Sequence, residues 1–88
     1  MSKKGKLRYR LLTRPKDLTW DEACSVMRGH GFEMRNGSGS ARMFVHGATG
    51  IRVRLHEPHP RPILLPYMVD ILIEGLVAAG EITDADRI

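Results

Sequence analysis

Two periodicities alternate along this chain and divide it into elements. Trp20, Ala23, Cys24 and Met27 stand at i, i+3, i+4 and i+7, which is one face of a helix. Thr19 with Glu22 three residues later has the form of a capping box, and Asp21 adds negative charge where the helix dipole favours it. Gly29 and Gly31 around His30 offer a left-handed stop, so the spacing predicts a helix over about 19–30. Farther on, Leu65, Met68, Val69, Leu72, Ile73 and Leu76 form a wide apolar stripe, opposite Tyr67, Asp70 and Glu74. A second helix is therefore expected from about Leu64 to Ala79, with Pro66 in its first turn and Gly80 as its stop.

Between them the period drops to two. Phe32-Glu33-Met34-Arg35 alternates, Asn36-Gly37-Ser38-Gly39-Ser40 has turn chemistry, and Ala41 to His46 continues extended. Gly47-Ala48-Thr49-Gly50 turns again, and Ile51 to His56 is the clearest strand. Short loops between three strands imply an antiparallel meander. Glu57-Pro58-His59-Pro60-Arg61-Pro62 is expected as an exposed, extended loop, since prolines remove donors and fix φ. The fold class expected is α+β: helix, three-stranded antiparallel sheet, helix, over residues 17–80.

Strand pleating sends alternate side chains to opposite faces. With Ile51, Val53 and Leu55 toward the helices, Arg52, Arg54 and His56 face away. With Phe32 and Met34 inward, Glu33 and Arg35 face out. With Ala41, Met43 and Val45 inward, Arg42, Phe44 and His46 face out. The outer face then collects arginines, two histidines and one aromatic ring against a single acid, Glu33. Guanidinium forks match phosphate oxygens, and an exposed ring stacks on an unpaired base. A half-solvated sheet that merely stays soluble is the plainer alternative, but it would mix signs of charge.

The charge is uneven as well. Residues 1–16 carry Lys3, Lys4, Lys6, Arg8, Arg10, Arg14 and Lys16 with no acid, while the remainder is slightly acidic, for a net charge of +4. This predicts a basic N-terminal arm over 1–16, suited to a polyanion or simply a frayed end, and residues 81–88 read as a short acidic tail. With 42% apolar and 27% charged residues in 88, the composition is that of one ordinary globular domain. The single Cys24 excludes an internal disulfide and a cysteine zinc site. No run approaches the roughly 18 apolar residues of a membrane span. A cytoplasmic protein with no membrane contact is expected.

Histidine takes and returns protons near neutral pH, as cleavage of RNA by its own 2′-hydroxyl requires, and an arginine would stabilise charge on the phosphorane oxygens. His46, His56 and His59 lie on the sheet or its exit loop. His30 reads as a helix-end residue. His56-x-x-His59 has a metal-like spacing, but Glu57 is the only close carboxylate, and neither a metal nor a cofactor is expected. A serine of Gly37-Ser38-Gly39-Ser40 lacks the strand-to-helix elbow of a hydrolase nucleophile.

One family carries these pieces in this order. Leu11-Leu12-Thr13-Arg14-Pro15-Lys16-Asp17-Leu18-Thr19-Trp20, Gly31-Phe32-Glu33, Ser38-Gly39-Ser40, Leu55-His56-Glu57-Pro58-His59-Pro60 and Pro66-Tyr67 together resemble HicA-family toxins of bacterial toxin–antitoxin systems. The resemblance implies a double-stranded-RNA-binding-domain-like fold. It also implies a metal-independent mRNA endoribonuclease (an mRNA interferase) and a HicB-type antitoxin that covers the active face. Many members carry a catalytic histidine just after a Gly-Ser at the start of the second strand, whereas here Gly39-Ser40 is followed by Ala41 and Arg42. Catalysis would then fall to His59 or His56, helped by Arg42. RNA, messenger or otherwise single-stranded, would be held by Arg35, Arg42, Phe44, His46, Arg52, Arg54 and Arg61. Two other readings stay open: a non-catalytic RNA-binding domain, and a protein-interaction module whose arginine face meets an acidic partner.

Overall fold

The capping box at Thr19 closes as its spacing requires. The Glu22 backbone N–H donates to Thr19 Oγ1 at 3.1 Å, and the Thr19 N–H donates to Glu22 Oε1 at 3.0 Å. In the computed structural model, which describes residues 3–87, helix α2 accordingly spans Trp20–Gly29 and buries Trp20, Ala23, Cys24, Val26 and Met27. Helix α3 spans Pro66–Ala78 with its proline in the first turn. Strands β1 (Phe32–Asn36), β2 (Ala41–His46) and β3 (Arg52–His56) form an antiparallel sheet in the order β1-β2-β3. The chain is therefore α+β around a three-stranded antiparallel sheet. Among the described residues, no helix is long and apolar enough to cross a membrane.

The segment 3–16 is not a free arm. Residues Lys3–Leu12 form a further helix, α1, whose Leu11 and Leu12 are buried in the core with Leu7 packed against it. The segment's three arginines meet acids from elsewhere in the chain. Arg10 reaches Glu22 at 2.6 Å and Asp17 at 3.0 Å, Arg14 reaches Asp70 at 2.8 Å, and Arg8 lies 3.8 Å from Asp86. The run of basic residues hid an apolar edge that sequence periodicity alone did not single out. The expected tail is tied down too: Ile82 is buried and a 3₁₀ turn spans Asp84–Asp86.

The face assigned to β2 is also corrected. Phe32 pairs with His46, Met34 with Phe44, Phe44 with Val53, and Arg42 with Leu55. Residues directly opposite in a ladder share a face, so Arg42, Phe44 and His46 point toward the helices with Phe32, Val53 and Leu55. Phe44 is wholly buried, its ring centroid 5.7 Å from that of Trp20. Ala41, Met43 and Val45 lie half-buried on the outer face instead. Both parities of Ala41-Arg42-Met43-Phe44-Val45-His46 contain apolar side chains, so the pattern within this strand leaves its orientation undetermined. The pairing with β1 and β3, whose inward faces are unambiguous, decides it.

Helix α3 approaches β3 closely at Gly75, where a Cβ would collide with the Val53 side chain. Glycine mid-helix costs roughly 0.5–1 kcal/mol relative to alanine; here it lets helix and sheet touch. The proline loop between β3 and α3 is pinned at both ends. Its start is held by Glu57 N–H to Ser40 O at 2.8 Å. Its end is held by Trp20 N–H to Pro62 O at 2.8 Å and Leu64 N–H to Leu18 O at 2.9 Å.

Candidate nucleic-acid interface

The outer sheet face follows directly from the register. Arg35 and Arg54 flank Met43, Glu33 and Arg52 flank Val45, and His56 stands opposite Ala41. The methylene stems of long side chains cover such half-buried apolar neighbours while their charged ends stay in water. What separates these arginines from the others is their lack of carboxylates. Arg8, Arg10, Arg14, Arg42 and Arg87 all lie within 4.0 Å of an acid. Among the described residues, Arg35, Arg52 and Arg54 on the sheet, Arg61 in the loop and Arg28 at the end of α2 have no such partner. Three of these unpaired arginines, Arg35, Arg52 and Arg54, share the outer sheet face.

Two concavities adjoin this face, and His56 lines both. One, of about 500 Å³, is bordered by Arg35, Met43 and Arg54. The other, of about 740 Å³, runs between the proline loop and the start of α3 and includes Lys16, Ser40, His59 and Arg61. The exposed His56 ring is oriented by Ser40, whose Oγ lies 3.1 Å from Nδ1. With Nδ1 so occupied, Nε2 is the nitrogen left for a ligand. The serine turn thus has a use the strand pattern did not show: Ser40 sits across the strand pair from His56.

The remaining expected site residues divide differently. His59 and Arg61 are exposed on the loop and line the same groove as His56. Arg42 is tied off, donating through Nε to Glu57 at 3.2 Å and through Nη1 to the Gly39 and Ala41 carbonyls at 2.9 and 2.8 Å. It clips the β1–β2 turn to the start of the proline loop and sits on the inner side of the sheet, so it does not belong to the free cationic face. Phe44 is in the core, which corrects its expected stacking role. His46 is buried as well, and so not part of the outer face. Among the described residues, no three histidine, cysteine or acidic side chains gather in a way that would hold a metal ion.

His46 belongs to a structural network. Its Nδ1 accepts from the Thr49 backbone N–H at 3.2 Å, which leaves the proton on Nε2 for Glu81 Oε2 at 3.0 Å. His30 Nδ1 meets the other oxygen of the same carboxylate at 3.2 Å. These hydrogen bonds, from His46 first and then His30, hold the Glu81 carboxyl below its ordinary pKa. Gly31, with φ of 84°, starts β1 against the His46 ring. One carboxylate thus joins the end of α2, the end of β2 and the segment after α3. Glu81→Gln puts an amide NH₂ against one of two buried imidazole donors and is expected to cost about 1–3 kcal/mol. A depressed carboxyl stabilises the fold above its ordinary pKa, and this is lost as pH falls through the folded value. Urea unfolding from neutral pH into the carboxylate range should show that loss in the parent, and a shallower one in Glu81→Gln.

No protein family, no curated protein and no solved structure matches this chain.

Proposed function

We propose that this chain is an RNA-binding toxin of a toxin–antitoxin pair, of the HicA kind, with a double-stranded-RNA-binding-domain-like core. Its activity is metal-independent cleavage of messenger RNA, and a HicB-type antitoxin neutralises it. The observation that carries the reading is the set of unpaired arginines on one sheet face, Arg35, Arg52 and Arg54, leading to His56 at the mouth of a groove. Phosphates lie along that face, because guanidinium groups without acid partners have their full donor capacity to offer. The order of α2, sheet and α3, and the residue motifs quoted above, support the same assignment.

His56 removes the 2′-hydroxyl proton through Nε2, and the 2′-oxygen attacks the adjacent phosphorus. His59 donates a proton to the departing 5′-oxygen as the P–O5′ bond breaks, leaving a 2′,3′-cyclic phosphate and a 5′-hydroxyl. Arg54, beside His56 in the hollow on the sheet, meets the charge that builds on the phosphorane oxygens. Ser40 keeps the His56 ring in place. A second reading, binding without cleavage, draws on Ala41 and Arg42 occupying the place after Gly39-Ser40 and on the capture of Arg42 by Glu57.

Single-stranded RNA incubated with pure protein in EDTA should yield fragments ending in cyclic phosphate, and His56→Ala should reduce the rate by about 100-fold or more. Intact RNA at high protein excess, with the complex still visible by gel shift, would remove the cleavage step and leave the second reading. A blank gel shift at low salt would remove both.

A further inference from the structure

We infer that the groove between the proline loop and the start of α3 takes one unpaired nucleobase, next to the phosphate track on the sheet. The inference rests on the RNA-binding reading and adds to it where, and through which part of the nucleotide, a single strand is gripped.

The walls of the groove are apolar and stiff. Pro58, Pro60, Ile63, Leu65 and Met68 line it, and the hydrogen bonds at Ser40, Leu18 and Trp20 hold the loop at both ends. Prolines fix φ, so the wall is set before any ligand arrives and little ordering cost remains. Leu65 is 54% exposed here, an apolar side chain on the rim with nothing over it. The volume of about 740 Å³ falls within the roughly 300–1,000 Å³ of small-ligand clefts.

Charge selects the occupant. Lys16, His59 and Arg61 stand around the opening, and the one acid among the lining residues, Glu57, is engaged by Arg42. An apolar floor under a cationic rim fits a flat heterocycle carried on phosphates. A peptide strand fits less well, because the prolines offer no backbone N–H for its carbonyls. His56 is shared between this groove and the sheet hollow, so a base seated here places its own ribose and phosphate at that imidazole. A base held in a duplex cannot enter, since it is stacked and paired.

The test uses the full chain and three probes of equal length: a short single-stranded oligoadenylate, its fully abasic counterpart with the same phosphates, and the oligoadenylate paired in a duplex. The single strand should bind about 5- to 100-fold more tightly than the abasic strand, the range for stacking of a base, and more tightly than the duplex. Leu65→Gln, an uncharged change at an exposed position, should shrink the ratio between intact-strand and abasic-strand affinities. The Met68 methyl resonance should shift with the intact strand and not with the abasic one, an independent readout in the parent chain. Equal affinity for intact and abasic strands would overturn the base site while leaving the phosphate track in place, provided Arg52→Glu/Arg54→Glu weakens both. Absence of binding by any probe at low salt would overturn the inference together with the RNA reading.

Discussion

Phe44→Ala is expected to destabilise the domain by about 3–5 kcal/mol, the range for truncating a fully buried aromatic side chain. The Phe44 ring is wholly buried, tilted against Trp20, and shares its face of the sheet with Val53 and Leu55. Small domains have little stability to spare, so the variant should be largely unfolded by circular dichroism and should lose RNA binding with its fold. The neighbouring Met43→Ala removes a half-buried side chain from the opposite face and should leave the domain folded. The pair separates two possibilities for β2. A folded Phe44→Ala protein with unchanged melting temperature and weaker RNA affinity would mean that the ring serves as an exposed stacking platform and that the inward register described above is wrong.

The double reversal Arg52→Glu/Arg54→Glu should weaken binding of single-stranded RNA by about 100-fold or more at low salt, because two cations of the proposed phosphate track become repulsive anions. Both side chains are exposed and lack carboxylate partners, so melting temperature should change little. The neutral version, Arg52→Ala/Arg54→Ala, gives a finer reading. If each arginine meets one phosphate of a single strand, the slope of log affinity against log salt should fall by about 0.7 per residue. Arg10→Ala supplies the contrast: it breaks the contacts with Glu22 and Asp17 and should lower stability without a specific effect on the salt slope. RNA affinity and salt slope both unaltered in the double reversal would sink the proposed interface.

How much of this was legible in the sequence varied with how local each feature is. The cap of α2 lies within four residues, and Thr19 and Glu22 announce it whatever surrounds them. The α3 stripe from Met68 to Leu76 and the Ile51–Leu55 alternation likewise repeat on one consistent face, and the structure places them as their spacing requires. Leu65, expected at the head of the stripe, instead caps the helix and is exposed. Helix α1 was concealed because basic residues dominate a short stretch; only the acids Asp17, Glu22 and Asp70, met by Arg10 and by Arg14 just beyond the helix, turn two of them into framework contacts. Of the expected site residues, Arg35, Arg52, Arg54, His56, His59 and Arg61 are exposed. Phe44 and His46 are not, and Arg42 is committed to Glu57. Ser40 and Lys16 entered the site through folding alone: Ser40 meets His56, and Lys16 lines the same groove.

The sequence by itself determined the element types of the central domain, since helix and strand periods, caps and prolines act through neighbouring residues. It also determined that β3 would present Arg52 and Arg54 opposite Val53 and Leu55. Tertiary structure alone decided which side of β2 is buried, because a strand with apolar residues at both parities takes its orientation from its partners. It alone decided that Glu81 would join His30 to His46, and which arginines would be neutralised. Those outcomes depend on distances between residues far apart in sequence, and only packing of the helices against the sheet sets them.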